Sequence, residues 1–568
     1  MLLSNLNLLA TATGGVARLR ELILTLAVQG KLVPQDPADE PASRLLQKIR
    51  AEKDRLIAEG KIKKDKPLAA ITDEEKPFGL PQGWEWVRLS ALLQKIGAGS
   101  TPLGGREVYV SSGVKFLRSQ NVWDEGLRLD GVAFIKPETH SRMAGTVVVA
   151  NDLLFNITGA SIGRCAVVPS NFDEANVSQH VTIIRAVLPE INAYLHKVLV
   201  SRHVQQTVMD VQVGVSREGL SIAKLGQFLI PLPPLAEQSR IVARVEELMR
   251  LCDALEAKGQ LEATQHAQLL STLLGTLTAS ATPEELANNW QRVAQHFDLL
   301  LDRREAIDAL EQTLLQLAVR GLLVPQYPAD EPASVLLQKI RAEKDRLIAE
   351  GKIKKDKPLP PMTGEEKPFE LPVGWEWVRV GDVVELLNGY SFKSEWFKQA
   401  GVRLLRNVNV SHGHVDWSAP VMLDGTAAKS YEQFALRAGD IVLSLDRPII
   451  STGLKYAVIR ESDLPCLLLQ RVARLTACTC VMPEFLRLWL QSDLFIGTID
   501  PGRSNGVPHI STKQVAALAF ALPPLAEQSR IVTRVTQLRR LCFELRQRLA
   551  EREVVQARLA EALVQQVA

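Results

Sequence analysis

The sequence has few cysteines, few aromatic residues and almost no net charge, and it holds no long apolar run. Each shortage closes a class. Six cysteines in 568 residues, Cys165, Cys252, Cys466, Cys478, Cys480 and Cys542, form no disulfide framework, which fits a reducing compartment. Cys478 and Cys480 make a CxC pair with no second pair and no histidine cluster, short of the roughly four ligands of a metal site, so they are read as small buried apolar residues. Cys252 and Cys542 fall in apolar helical stripes, which also predicts core. A formal net charge of +3 gives no bulk footprint for nucleic acid, so any DNA contact must rest on local placement of Arg and Lys. No apolar stretch reaches the roughly 18 residues that cross a bilayer. The N-terminal MLLSNLNLLATATGGVARLREL lacks a basic leader ahead of a clean apolar segment, so the chain is expected in the cytoplasm.

Enzyme signatures are missing as well. There is no GxxxxGK[ST] phosphate loop, no FxGxG-type cofactor turn and no (N/D)PP(Y/F) motif, since LPPL lacks both the acidic or amide residue and the aromatic. The ExK triplets at Glu59–Lys61 and Glu350–Lys352 sit at expected helix ends with no Pro-Asp strand before them. His180 and His509 lack a carboxylate or cysteine partner at motif spacing. A chain without catalysis, and with no metal or cofactor of its own, is the expectation.

What is present is one unit of roughly 290 residues written twice. LVPQDPADEPAS at 32–43 returns as LVPQYPADEPAS at 323–334, and residues 45–68 recur unchanged at 336–359. LPQGWEWVR (80–88) answers LPVGWEWVR (371–379), and LPPLAEQSRIV stands at both 232–242 and 522–532. Residues 89–230 and 380–521, enclosed by these matches, share little. Neutral drift after duplication would blur frame and insert alike. A frame kept the same must satisfy the same neighbours twice, whereas two inserts need only fit the same mounting points. Length alone predicts three or four domains.

The frame reads as helix. Ile241, Val245, Leu248, Cys252 and Leu255 are spaced as a heptad stripe, repeated at Ile531, Val535, Leu538, Cys542, Leu545 and Leu549. Pro233–Pro234 and Pro523–Pro524 suit the helix starts. A first helix from Leu235 to Lys258, ended or bent at Gly259, would span about 36 Å, close to the roughly 34 Å of one DNA turn. Its natural seam partner is the equivalent helix of the other copy. Further helices begin near Arg18 and Arg304 and stop at Gly30 and Gly321. Others begin at Pro-Ala-Ser and stop at Gly60 and Gly351, with Glu52 near Arg55 and Glu343 near Arg346 as surface pairs. Residues 1–76 lack a preceding EQSRIV helix and residues 527–568 lack a following partner, so the two chain ends are expected to pack together. That predicts a pseudo-circular, pseudo-two-fold α+β arrangement. The repeated Trp84, Trp86, Trp375 and Trp377 are expected in packing at the base of each insert, because a sequence-specific contact would differ between copies.

The inserts carry polar side chains at strand ends. VKFLRSQNV (114–122) and VRLLRNVNV (402–410) place Arg118 before Gln120 and Asn121, and Arg406 before Asn407 and Asn409. Arg pairs with guanine and Asn or Gln with adenine through two-point contacts, so this mixture suits base readout. Asn156, Thr158 and Ser161 answer Ser444, Asp446 and Arg447, and Ser178, Gln179 and His180 answer Gln470 and Arg471. Ser100 and Thr101 in one first turn, Lys393 in the other, and Ser504, Asn505 and His509 in a closing loop complete the candidate DNA contacts. The glycine-bearing loops at 214–221 and 502–511 expose backbone amides suited to phosphate.

LPxGWEWVR before each insert, the turn Gly97–Pro102, and above all the doubled LPPLAEQSRIV resemble the specificity subunits of type I restriction–modification systems, over essentially the whole chain. The second insert has Asn388-Gly-Tyr-Ser where the first has its Gly-Ser-Thr-Pro turn, so the likeness is weaker there. The resemblance implies two mixed α/β target-recognition domains, each reading half of a bipartite double-stranded DNA site. It also implies long antiparallel coiled-coil-like helices that separate them. Its domains would be 1–78 (N-terminal helices), 79–234 (first recognition domain), 235–369 (central helices), 370–524 (second recognition domain) and 525–568 (C-terminal helix). The helices would dock two methyltransferase subunits, with Leu235, Glu237, Gln238, Arg240 and Ile241, and Leu525, Glu527, Gln528, Arg530 and Ile531, as candidate docking residues. Restriction subunits would join through those. S-adenosylmethionine would belong to the methyltransferase subunits, and ATP and magnesium to restriction. An adaptor or inhibitor that occupies the partner's subunit site without reading DNA is the alternative.

Overall fold

Two helices, α1 (Gly15–Val28) and α2 (Ala42–Ala58), open the computed structural model, which describes residues 12, 14–64, 68–213, 220–280, 282–350, 359, 361–499 and 509–567. Gly30 follows the end of α1 at φ 70°. A Cβ there would stand 2.5 Å from the Pro81 ring, and one at Gly321, φ 74°, 2.6 Å from that of Pro372. Only glycine meets both the left-handed backbone and the close approach. On α2, Arg55 pairs with Glu52 at 2.6 Å; the side chain of Glu343 in the second copy lies outside the described residues.

Helix α3 (Leu235–Ala279) runs 45 residues without interruption, about 67 Å at 1.5 Å per residue. Gly259 does not end it. One glycine costs a helix only about 1 kcal/mol, which its neighbours outweigh. The expected match of this helix to one turn of DNA is thereby removed. After α3 come α4 (Pro283–Gln295), α5 (Arg304–Val319), α6 (Ala333–Ala349) and a last long helix, α7 (Leu525–Val567).

Two compact units result, Met1–Glu262 with Arg552–Ala568, and Ala263–Glu551. In the first, Ile241, Val245 and Cys252 of α3 are buried in one core with Val16, Leu19 and Ile23 of α1 and with Ala560 of α7. Arg18 Nη1 donates to the Ala557 carbonyl at 2.8 Å, so the two chain ends do pack together. In the second, Cys542 of α7 shares a core with Leu310, Leu314 and Leu317 of α5 and with Leu270, Leu274 and Leu277 of α3. Ion pairs from Arg20 of α1 to α3, and from Arg546 of α7 to α5, fix the immediate neighbours. The seam of each long helix is therefore shared: the short helix of its own copy and residues of the other long helix lie in the same core, where the stripe alone pointed only to the long helix. A stripe records that a neighbour exists and not which one.

Each insert is clamped at its base by an antiparallel pair. Strand β1 (Glu85–Arg88) pairs with β8 (Leu229–Leu232), Glu85 opposite Leu232. Between them β2 (Leu93–Ala98), β3 (Val114–Leu117), β4 (Leu153–Asn156), β5 (Cys165–Val167), β6 (Ala175–Val177) and β7 (Val181–Ala186) build two sheets. One has the antiparallel order β5-β4-β7-β2, and the other includes the parallel pair β3–β6. The second copy repeats this. Strand β9 (Glu376–Arg379) pairs at the base with the last strand of that domain, Ala519–Leu522, while β10 (Val384–Asn388), β11 (Val402–Leu405), β12 (Ile441–Ser444), β13 (Tyr456–Val458), β14 (Cys466–Leu468) and β15 (Val472–Ala477) form the sheets. The order β13-β12-β15-β10 and the parallel pair β11–β14 match the first copy. Two inserts with little common sequence thus share one α+β plan. All but the half-buried Cys478 of the six cysteines are buried, and the thiols of Cys478 and Cys480 lie 2.7 Å apart. Among the described residues no helix is long and apolar enough to cross a membrane.

Candidate nucleic-acid interface

The mount beneath each insert is a hydrogen-bonded lock. Trp84 Nε1 donates to Glu237 at 2.9 Å and Gln35 to the same carboxylate at 2.8 Å. Trp375 and Gln326 do the same to Glu527 at 3.0 and 3.1 Å. Burial pushes the Glu527 carboxyl up, with the Gln326 and Trp375 donors opposing it. Gln238 donates to the Pro233 carbonyl and Gln528 to those of Cys480 and Pro523. Arg240 is paired with Asp39 and Arg530 with Asp330. Glu237, Gln238, Ile241, Glu527, Gln528 and Ile531 are buried. These candidate docking residues therefore turn inward and hold the insert, because a buried carboxylate needs donors that only the chain itself supplies here. Leu235 and Leu525 alone among them are exposed, at 37% and 38%. Trp84 and Trp375 are buried, as packing at the base of the insert requires.

Above the first mount, backbone bonds gather the strand ends. Ile157 N donates to the His180 carbonyl at 3.0 Å, and Leu220 N to that of Ile157 at 2.8 Å. Thr158 Oγ1 and His180 Nδ1 meet at 2.6 Å. Arg118 at the end of β3 has one guanidinium nitrogen on the Gly131 carbonyl at 3.4 Å. Asn121 Oδ1 accepts from the Arg118 amide and its Nδ2 donates to the Arg128 carbonyl. Asn156 Nδ2 donates to the Ser119 carbonyl and to Ser161 Oγ, tying that turn to the end of β4.

The second insert makes the same backbone bonds at matched places. Leu445 N donates to the Arg471 carbonyl at 2.9 Å and Ile510 N to that of Leu445 at 3.0 Å. Arg406 reaches the Ala419 carbonyl at 2.6 Å, and Asn409 bridges the Arg406 amide and the Asp416 carbonyl. The side chains differ. Asp446 accepts from Arg471 Nη1 at 2.8 Å on one oxygen and stands 2.8 Å from His509 Nδ1 on the other. His509 thus has a carboxylate partner that its sequence neighbours did not reveal. Asn407 Oδ1 accepts from Ser444 Oγ at 2.7 Å and from Lys455 Nζ. Arg447 and Arg471 sit at φ 47° and 70°, a backbone that costs about 1–3 kcal/mol and persists only where its surroundings impose it.

These contacts sort the candidate residues. Asn121, Asn156 and Asn409 are buried; the bonds just described occupy both ends of the Asn121 and Asn409 amides and the nitrogen of Asn156, so these side chains shape turns from inside the domain. Ser178 and Ser444 are buried too. Asn407 has its oxygen engaged by Lys455, with the Ser444 hydroxyl shared between it and the Asp446 carbonyl, so the acceptor half of a two-point contact to adenine is already taken, while its amide group stays a donor. Asp446 spends its carboxylate on aiming Arg471 and His509. Ser161 accepts from Asn156. Ser100, Thr101, Gln120, Gln179, His180, Lys393, Arg447, Gln470, Arg471 and His509 are exposed, and Arg118, Thr158 and Arg406 are half-buried. Ser504 and Asn505, and most of both glycine-bearing loops, lie outside the described residues. Two groups had no forecast. Lys455 is buried under Asn407, and burial lowers its pKa against the pull of Asp446; a lone lysine inside the apolar run of GLKYAV was its signal. Trp123 is sandwiched between the guanidiniums of Arg128 and Arg164, 3.6 and 3.7 Å from the ring centroid. The two first turns also prove equivalent. A Cβ on Gly99 would fall 2.0 Å from the Val177 carbonyl oxygen, and one on Gly389 2.2 Å from that of Leu469. Among the described residues no group of three His, Cys, Asp or Glu side chains could hold a metal ion.

Residues 81–265 and 372–552 each match the type I restriction modification DNA specificity domain. The chain belongs to the type I restriction–modification DNA specificity family. It is 46% identical over 565 residues to the type I restriction enzyme EcoAI specificity subunit of Escherichia coli, covering 97% of this chain and 93% of that one. To the EcoEI specificity subunit, also of Escherichia coli, it is 34% identical with the same coverage. A crystal structure of the HsdS subunit from Thermoanaerobacter tengcongensis aligns over 86% of this chain and 98% of that chain at 20% identity, with a TM-score of 0.42. Each specificity-domain match takes in one sheet domain together with the start of the long helix behind it, so the Trp–Glu lock falls inside both matched spans.

Proposed function

We propose that this chain is the non-catalytic DNA sequence-recognition subunit of a type I restriction–modification complex, working in the cytoplasm. The sheet domain within 79–234 reads one half of a bipartite duplex site and the one within 370–524 reads the other. The helices of 1–78, 235–369 and 525–568 dock two methyltransferase subunits, which bring S-adenosylmethionine. Restriction subunits that use ATP and magnesium join through them. One observation carries the reading: matched backbone bonds present different side chains, Thr158 and His180 in one domain and Asp446, Arg471 and His509 in the other. Two readers built alike and tipped differently call for an asymmetric target. Arg118 and Arg406 are the side chains best placed for guanine, and Gln120 keeps a whole amide for adenine.

The test is to bind the chain with its methyltransferase to random duplex DNA and sequence the bound pool. Two unlike half-sites separated by an unread spacer are expected. Replacing residues 89–230 by another such insert should change one half-site only. A pool with no motif would make the chain a protein-binding adaptor. Purified chain with magnesium should leave DNA intact.

A further inference from the structure

The lock contacts are the same in both copies, so they cannot tell one copy's helices from the other's. Trp84–Glu237, Gln35–Glu237 and Arg240–Asp39 join α1's end of the frame to α3 through residues that recur as Trp375–Glu527, Gln326–Glu527 and Arg530–Asp330. A crossed arrangement, with residues 15–88 of one frame seated on α7, would keep every one of them. At one place, however, the copies carry opposite signs. Arg20 on α1 pairs with Glu256 and Asp253 on α3, at 3.1 and 2.6 Å. The residue matching Arg20 on α5 is Glu311, and the residue matching Glu256 on α7 is Arg546; these pair at 2.7 Å. Arg539, where the first copy has Met249, adds a second cation to Glu311 at 3.0 Å, and Asp308, where it has Ala17, adds a second anion to Arg546 at 2.6 Å.

We infer that this sign-reversed pair is a selector that lets each long helix accept only the short helix of its own copy. In the crossed arrangement Arg20 meets Arg539 and Arg546, and Glu311 meets Asp253 and Glu256. Both seams then hold like charges, while the apolar stripes and the locks remain satisfied. The occupant that is refused is the matching segment of a second copy of this chain, which would otherwise fit and link two chains by exchange. Screening is weakest around Glu311, where it, Arg539 and Arg546 are only 20–28% exposed; Asp253 and Glu256, which face Arg20, are more than half exposed, so the second seam carries more of the choice.

The full chain tests this through its mass in solution and its melting. R20E/E311R opposes both proper seams and suits both crossed ones. It should raise the fraction of two-chain species about tenfold or more over the unaltered chain, and half-molar salt should lower it again. Adding E256R and R546E restores one attractive pair in each seam, with Asp253, Asp308 and Arg539 still opposing, and should lower the two-chain fraction part of the way back. Within one seam, R20E and E256R should each lower the melting midpoint by about 2–4 °C, and R20E/E256R should lower it by less than the two losses added, with Asp253 still opposing the new carboxylate. An R20E/E311R chain of unchanged mass and midpoint would overturn the inference. If that variant aggregates, the single-seam series decides: losses that simply add, with no recovery in R20E/E256R, overturn it as well.

Discussion

The two sheet domains were given the same floor and different edges. At the floor, Trp84 and Trp375 donate to Glu237 and Glu527 in one geometry, and β1–β8 is repeated register for register by Glu376–Arg379 with Ala519–Leu522. At the edge, the bonds from Ile157 and Leu445 to the carbonyls of His180 and Arg471 also coincide, but they are bonds between main-chain atoms. Main-chain bonds are indifferent to the side chain beyond them. The domain can therefore change Thr158 and His180 for Asp446 and Arg471 while its strand ends stay where they are. The hidden amides Asn121 and Asn409 hold the arginine turn in the same way.

The sharpest way to break this likeness is at the floor. Trp84→Ala and Trp375→Ala should each cost about 3–5 kcal/mol in urea unfolding, and the two losses should agree to within about 1 kcal/mol. A large loss in one copy alone would end the equivalence of the mounts. Acid should separate the domains. Burial holds His196 in the first domain down to about 4 from an ordinary 6.5, with Lys197 also lowering it and its bond to the Cys165 carbonyl opposing. Arg487 stands at the matching place in the second. The folded His196 stays neutral while the unfolded chain takes up a proton, so stability present above pH 6.5 falls as the pH drops toward 4. The slope is at most about 1.4 kcal/mol per pH unit. Hydrogen exchange at pH 7 and pH 5 should show β4 and β5 opening before β12 and β13, and His196→Gln should remove the difference. At the edge, Arg118→Ala and Arg406→Ala should each relax one half-site and not the other, by about 1–3 kcal/mol in competition binding. Specificity lost in both half-sites from a single change would contradict separate readers. The smallest effect belongs to the long helices. Gly259 has open space around it, whereas Leu549 at the matching place packs in a core. Gly259→Ala should therefore raise the thermal midpoint slightly, by about 0.4–1 kcal/mol of stability.

Much of the frame was legible in the sequence because its rules are local. The stripe from Ile241 to Leu255, the stops at Gly30 and Gly321 and the strand ends before Arg118 and Arg406 all follow from spacing within a few residues. What could not be read depends on facing across the fold. Asn121 and Gln120 are adjacent amides, yet one is consumed by the backbone and the other is exposed. Asp446 and His509 lie far apart in the chain and meet only because β12 and the closing segment share an edge. The LPPLAEQ motif was visible as a motif, but its direction was not. Glu237 and Gln238 look like a polar surface in sequence and are buried in the folded chain. Gly259 misled because a helix of this length tolerates one poor residue.

Gly99 and Gly389 carry a lesson for anyone who would rebuild these domains. Each holds the first turn so close to a neighbouring carbonyl that even a methyl group would collide with the main chain. A combinatorial library across either insert should keep that one codon fixed and spread its diversity over the exposed positions around Arg118, His180, Arg471 and His509. Designs that randomise the glycine will be lost to misfolding before their binding is ever sampled.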